Sequence, residues 1–440
     1  MPRSSRTART PFASPRSPSA LRSSRRDDRH ARPAFFLKSS GLALAAFGFA
    51  PGFLQRALAS TDPVRRKVLV TIFQRGAVDG LSMIPPVAEG LYYDLRPAIA
   101  IPRPGRGEGA ALTLDGHFAL HPSLARLEPL WTSGALAVVH AVGSPDPTRS
   151  HFDAQDYLDA GTPGVKSTPD GWLNRALQAR PKPAASPFRA VAMQSGLPRS
   201  LAGRAGALAM NTIGEYGLHG GAGAAASRWS ELYSSARDPR LRAAGGEAFE
   251  SARALREAGP GRFAPANGAA YPAAPLGRRL REIAQLVKAD VGLEVAATDC
   301  GGWDTHAGQG AAQGPLANRL RELGDALGAF ATDLGDRMAD VCVVTMTEFG
   351  RTVKENGSRG TDHGHGSAML VLGGAVKGRR VVARWKGLDD ANLYEGRDLA
   401  VTTDHREVLS EVLYRHMGIA DLSTVFPSFA SSGSQRVSLF

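Results

Sequence analysis

The sequence predicts an α/β protein with a mostly parallel sheet sandwiched by helices. Three observations carry that expectation. Short β-branched apolar runs at residues 67–73 (KVLVTIF), 135–142 (ALAVVHAV) and 341–346 (VCVVTM) read as strands buried on both faces. Stretches with apolar residues at helical spacing lie between such runs. Each run empties into a polar loop, and open parallel sheets bind ligands beyond the carboxyl ends of their strands. The 440 residues are 43% hydrophobic, which suits one large domain and excludes global disorder.

In chain order, residues 1–34 are rich in Arg, Ser and Pro and are expected to be a disordered basic tail. Residues 35–60 read as a signal-like segment. Phe35-Phe36-Leu37-Lys38 precedes an apolar run over 41–54, too short to span a bilayer comfortably, and Ala57-Leu58-Ala59 offers a small-x-small cleavage site. Export to the periplasm or the extracellular space is therefore expected, with membrane contact only during passage. Of the net charge of +12, residues 1–40 carry +8, from nine Arg and one Lys against Asp27 and Asp28. The remaining +4 is spread over the body, and nothing there reads as a nucleic-acid groove.

Residues 61–440 form the expected α/β domain. After the first strand comes the loop Gln74 to Gly80, and after the second the loop Ser144 to His151. A helix starts near Phe152. Leu276, Leu280, Ile283, Leu286 and Val287 mark an amphipathic helix, followed by a strand over 293–297. Leu316, Leu320, Leu323, Leu327, Leu334 and Met338 mark the next helix. Residues 368–372 (AMLVL) are a further strand, and 406–416 a closing helix. Residues 180–275, rich in Ala, Gly, Pro and Arg, read as an insertion with helices at 224–235 and 246–257. Two cysteines exclude a disulfide scaffold and a four-Cys zinc site. Cys300 and Cys342 lie near each other if their strands are neighbours, and they are a disulfide or two buried thiols.

Four strand ends deliver candidate chemistry. Asp362-His363-Gly364-His365, between glycines, combines imidazole and carboxylate, a set that suits zinc, manganese or iron. Asp304 and His306, at i and i+2, face one side of an extended stretch and reach one ion together. The alternative is that Trp303 packs while Asp304 caps the next helix. Asp79 is a metal ligand or a turn residue. Glu348 is a ligand, a general base or the ion-pair partner of Arg351. Ser150, between strand and helix, is a nucleophile or an N-cap with Asp153 as a near capping box. His151 is a ligand, an acid–base group or a packing residue. No G-x-S-x-G elbow, Walker loop or dinucleotide fingerprint occurs, which demotes those enzyme classes.

The stretches RGAVDGLSMIPP, TRSHFDAQDYLDAG, GWDTHAGQG, TMTEFGRTVKENGSRGTDHGHGSAMLVLGG and TTDHREVLSEVL together resemble a bacterial family called domain of unknown function 1501. They span residues 67–417 in order. That family usually carries a twin-arginine export signal, to which Phe36-Leu37-Lys38 is similar, although Pro33 and Ala34 stand at the twin positions. The family resembles the alkaline phosphatase and sulfatase superfamily. That resemblance implies an alkaline phosphatase-like fold, one or two divalent metal ions and a phosphate or sulfate ester, or a glycan, as substrate. It implies Asp79, Asp304, His306, Glu348, Asp362, His363 and His365 as metal ligands. Ser150, at the head of a helix ending Ala160-Gly161, becomes the nucleophile, with Arg149 or Arg351 steadying the anion. Glu348-Phe349 stands where the superfamily has Asp-His. A non-catalytic relative that binds a glycan, a peptide or an envelope protein partner is the alternative.

Overall fold

Seven consecutive buried residues, Val68–Gln74, form strand β2 at the middle of the main sheet. In the computed structural model the described residues are 66–180, 186–214, 216, 231, 233–238, 251–429 and 437–440, together with the two-residue strand β1 (Ala43–Leu44). The basic tail and all of the signal-like segment except β1 lie outside them.

The other strands are β3 (Leu112–Thr113), β4 (Ala119–Leu120), β5 (Leu136–Gly143), β6 (Ala190–Met193), β7 (Leu208–Met210), β8 (Val295–Cys300), β9 (Val341–Met346), β10 (Ser367–Gly373), β11 (Arg380–Val382) and β12 (Thr403–Asp404). The main sheet runs β1-β7-β6-β8-β2-β9-β10-β5-β11, with β12 also on β5, while β3 and β4 form a separate pair. From β7 to β9 every pairing is parallel, and β11 and β12 run parallel to β5. β10 is antiparallel to both of its neighbours. The expectation of a mostly parallel sheet holds, with this reversal inside it and a second at the edge, where β1 is antiparallel to β7.

Helices cover both faces because side chains alternate along a strand. Val68, Val70 and Ile72 pack on one face with Leu280 and Leu320. The helices there are α6 (Pro275–Lys288) and α7 (Pro315–Leu334), both opening on proline, where a missing N–H costs nothing. Leu69 and Phe73 pack on the other face with Leu158, Trp172 and Val412. Those come from α4 (His151–Ala160), α5 (Trp172–Gln178) and α8 (His405–Arg415). Asp404 and Glu407 form a capping box on α8. Three short helices, α1 (Gly80–Met83), α2 (Gly90–Asp94) and α3 (Glu128–Thr132), fill the connections between β2 and β5.

One expectation is corrected and one open question is decided. The proposed insertion at 180–275 begins inside the sheet, because β6 pairs with β8, and β7 with β6. Their Ala-rich sequences, AVAM and LAM, are too short to show a period, so composition alone misreads them. Residues 251–258 are helical, overlapping the expected helix at 246–257, whereas most of 224–235 lies outside the described residues. The two cysteines are free, and their strands flank β2 on opposite sides. Cys342 is level with Leu69 and Cys300 with Gln74, so about 3.3 Å of rise per residue separates them far beyond disulfide reach.

Three buried histidines make the fold sensitive to acid. Burial holds His121, His140 and His416 down to about 4. Unfolded histidines titrate near ~6.5. Between those values the unfolded chain binds protons that the folded chain refuses. Stability is therefore complete above ~6.5 and falls as pH drops toward 4. Urea denaturation of the metal-free protein is expected to show a lower midpoint at pH 5 than at pH 7; an unchanged midpoint contradicts this.

Candidate metal centre

The strand directions decide which loops meet. β2, β5, β8 and β9 are aligned, so their carboxyl ends lie at one edge of the sheet. Because β10 runs the other way, the connection from β9 to β10 starts and finishes at that same edge. Residues 75–79, 144–151, 301–306 and 347–366 therefore share one end of the molecule.

Four side chains from three of those loops converge. His306 Nε2 lies 3.0 Å from Asp304 Oδ1 and 3.0 Å from His363 Nε2. His363 Nε2 lies 3.2 Å from the same Asp304 oxygen. His151 Nε2 approaches Asp304 Oδ2 at 3.7 Å. Ligand atoms of His151, Asp304 and His363 all lie within 4.8 Å of one another. The cluster is open on one side, where His306 and Asp304 are 44% and 47% exposed.

Each imidazole is fixed from behind through Nδ1. His151 Nδ1 lies 2.8 Å from Glu348 Oε1, His306 Nδ1 2.9 Å from Asp362 Oδ1, and His363 Nδ1 2.9 Å from the Arg149 carbonyl. A carbonyl or carboxylate only accepts, so each Nδ1 donates. In the neutral ring the other nitrogen, Nε2, then carries a bare lone pair. Two such lone pairs 3.0 Å apart, beside a carboxylate oxygen, repel each other unless a proton or a metal cation lies between them. His151 Nε2 is a buried polar atom with no hydrogen-bond partner. Nitrogens bound tetrahedrally to one zinc at ~2.0–2.1 Å stand roughly 3.3 Å apart. The donors present thus fit a divalent transition ion, with the carboxylate–histidine backing that orients metal ligands.

The surroundings set the charge states. Burial opposes ionisation of Asp304, yet the hydrogen bond and charge of Arg351 hold its carboxyl below the usual range. The Glu348 hydrogen bond raises His151 above the ordinary histidine value, against the pull of burial. Burial, reinforced by Arg351 and His151, lowers His363. The His306 hydrogen bond holds Asp362 low. Burial pushes Glu348 upward, but the bond from His151 leads a set that keeps it ionised.

The expected residues separate into distinct roles. Asp304, His306 and His363 come together in the cluster. Asp362 and Glu348 back the imidazoles and make no direct approach to the centre. Glu348 Oε1 accepts from Gly76 N, His151 and Gln155, and Oε2 from Thr347, so it backs His151, and none of these bonds is to Arg351. His365 is buried and stacks on Tyr394 with ring centroids 4.5 Å apart. Asp79 caps α1 and is sealed in an ion pair 2.6 Å from Arg96, with further bonds from Ser82 and Gln309. Burial works against that carboxylate, and Arg96 overcomes it.

Both arginines proposed to steady an anion are already engaged. Arg149 pairs with Asp398 at 2.6 Å and Glu395 at 2.6 Å. Arg351 is 1% exposed and donates to the carbonyls of Gly76, Ala77, Trp303 and Thr361 and to Asp304. Ser150 caps α4, its Oγ accepting from Asp153 N at 3.5 Å. His151, whose role residue types left ambiguous, joins the cluster; its position directly after a strand-end Ser was the available signal. Glycines permit the close loop contacts: a Cβ on Gly360 would sit 2.4 Å from the carbonyl carbon of His306.

The fold and site thus define an α/β protein with a candidate three-histidine, one-aspartate metal centre. Residues 66–427 match the model of the family described as Protein of unknown function (DUF1501), and the chain belongs to that family. No curated protein matches the chain.

Elemental analysis is the check on this assignment. His151→Ala or His363→Ala is expected to remove bound metal. Asp362→Asn, which removes the charge behind His306 and retains an acceptor for Asn356, is expected to weaken affinity about 10–100-fold. His365→Ala should retain full occupancy. Asp79→Ala should retain occupancy in the folded protein while costing ~3–5 kcal/mol by leaving Arg96 unpaired and buried. Metal loss on His365→Ala, with retention on His363→Ala, contradicts the assignment.

Proposed function

We propose that this protein is an exported metal-dependent hydrolase acting on a phosphate or sulfate ester. One divalent ion, zinc, manganese or iron, is held by His151, Asp304, His306 and His363. The convergence of three back-anchored Nε2 atoms on the Asp304 carboxylate carries this reading. Such an ion, when bound, supplies Lewis acidity to an ester oxygen.

The chain contributes the rest. Ser150 directly precedes the ligand His151 and opens the ten-residue helix α4, whose first amides favour an anion. Its long cap bond is readily given up, so the hydroxyl is the nucleophile of this reading. Glu348 and the Arg149 carbonyl hold His151 and His363 in one tautomer. The order of residues resembles the alkaline phosphatase and sulfatase superfamily, with a helix of similar length after Ser150. The sealed Asp79 and the backing role of Glu348 favour one ion over two. Export, including a twin-arginine route, is supported by the basic, apolar, small pattern of residues 1–60. No helix among the described residues is long and apolar enough to cross a membrane.

One observation favours a second reading, a non-catalytic envelope protein that binds a glycan or a protein partner. Arg149 and Arg351 are both neutralised and present no free guanidinium to an ester anion.

Turnover of 4-nitrophenyl sulfate, 4-nitrophenyl phosphate and bis(4-nitrophenyl) phosphate by the metal-loaded protein separates the readings. Ser150→Ala is expected to reduce kcat at least ~10³-fold. Metal content should not change, and the lost cap should cost ~1 kcal/mol. Full turnover in that variant removes the serine from the reaction. Metal-loaded protein inert toward all three esters favours the binding reading.

A further inference from the structure

The two carboxylates behind the imidazoles are themselves held by carboxamides. Gln155 Nε2 lies 2.9 Å from Glu348 Oε1, the oxygen that meets His151 Nδ1 at 2.8 Å. Asn356 Nδ2 lies 3.0 Å from Asp362 Oδ1, the oxygen that meets His306 Nδ1 at 2.9 Å. The same order of groups, carboxamide to carboxylate to imidazole, thus occurs twice in one cluster. It is assembled from different segments each time. Gln155 and His151 lie one turn apart on α4, share a face, and both reach Glu348 at the start of the 347–366 connection. Asn356 and Asp362 belong to the later part of that connection and meet His306 in the loop after β8.

Neither amide can be turned around without loss. The amide oxygen of Gln155 accepts from Arg75 Nη1 at 2.8 Å, and an arginine only donates. Arg75 is fixed in turn by Asp299 at 2.9 Å and lies over the Phe73 ring. The amide oxygen of Asn356 accepts from the main-chain N–H groups of Ser358 and Gly360, at 2.9 and 3.1 Å. Both NH2 groups are thereby directed at the carboxylates. Asn356 Nδ2 also donates to the main-chain carbonyl of His306 at 2.9 Å, which ties the two loops together.

A carboxamide N–H offers a proton and accepts none. An oxygen that receives it keeps its lone pairs turned toward donors. Glu348 Oε1 receives one more N–H, from Gly76. The imidazole nitrogen that meets such an oxygen is left as the donor, and its Nε2 stays bare toward the cluster. Without the carboxamide, the carboxylate is free to rotate and the imidazole to pivot with it.

We propose that Gln155 and Asn356 are positioning residues of the metal centre. Each acts through its own carboxylate to present one imidazole: Gln155 through Glu348 to His151, and Asn356 through Asp362 to His306. This rests on the metal-centre reading above and adds two residues that act at one remove from the ligands.

Zinc affinity of the full chain, measured in competition with a chromophoric chelator, tests it through paired variants. Gln155→Met keeps the side-chain length, removes both amide bonds and is expected to weaken zinc binding about tenfold. Asn356→Ala is expected to weaken it by about the same factor. Coupling is the distinguishing readout. In a Glu348→Gln background the cost of Gln155→Met is expected to fall below about threefold, because a bond to a neutral acceptor is worth less than one to a carboxylate. In an Asp362→Asn background that cost should remain about tenfold, since Gln155 makes no bond to Asp362. Asn356→Ala should show the reverse pattern, its cost shrinking in Asp362→Asn and persisting in Glu348→Gln. A residue that only stiffens the fold costs the same in both backgrounds. Equal costs in both, or wild-type affinity in Gln155→Met and Asn356→Ala, overturn the inference while leaving the metal centre standing. Failure of the wild type to bind zinc overturns both.

Discussion

Arg351 reaches from the loop after β9 into the space between the loops that follow β2 and β8, and there its guanidinium is almost wholly buried. It donates to Gly76 and Ala77 in the first loop, to Trp303 in the second and to Thr361 on its own connection. It also grips the Asp304 carboxylate. A buried charge of this kind is costly unless fully bonded, and removing one partner typically costs ~3–5 kcal/mol. The arrangement therefore holds together or fails as a unit. Its consequence is positional: Asp304 Oδ1, which the imidazoles of His306 and His363 approach, is also the oxygen that Arg351 pins.

The topology explains why so many short loops meet. Parallel strands deliver their following loops to one edge, but a strand pair in a fully parallel sheet must be joined by a long crossover. The antiparallel β10 removes that need between β9 and β10. The connection of residues 347–366 stays at the site edge for its whole length, carrying Glu348, Arg351, Asp362 and His363. Glycines make this compact. A Cβ on Gly364 would lie 2.3 Å from the Arg351 carbonyl carbon, so a larger residue would push the His363 segment away. The imidazoles are oriented by groups outside the cluster: two carboxylates and one main-chain carbonyl. Those three acceptors convert a set of histidines into a set of lone pairs directed at one place.

Much of the fold was legible in the sequence because buried parallel strands are continuous apolar runs and their covering helices keep a 3.6-residue period. β2, β5 and β9, with α6 and α7, all follow that rule. β6 and β7 did not, since four- and three-residue strands of Ala, Val, Leu and Met have no period to read. The reversal of β10 was also hidden: direction is set by pairing partners, which a single apolar run does not encode. At the site, Asp304, His306 and His363 were legible from residue type and spacing. His151 was ambiguous because a helix-start histidine has several ordinary uses. Glu348 and Asp362 were read as ligands, and the distinction between ligand and ligand support depends on a few ångströms of tertiary geometry. Asp79 was misplaced for a different reason. Its partner Arg96 lies 17 positions on, in the segment after α2, and nothing in the sequence pattern links them.

The central claim is that one ion is coordinated by three histidines and Asp304. X-ray absorption fine structure on the zinc- or manganese-loaded protein tests it most directly. The account predicts outer-shell imidazole scattering from three histidines, a first shell of nitrogen and oxygen at about 2.0–2.2 Å, and no metal–metal vector. A first shell without histidine scattering, or a second metal at ~3.5–4 Å, would contradict it.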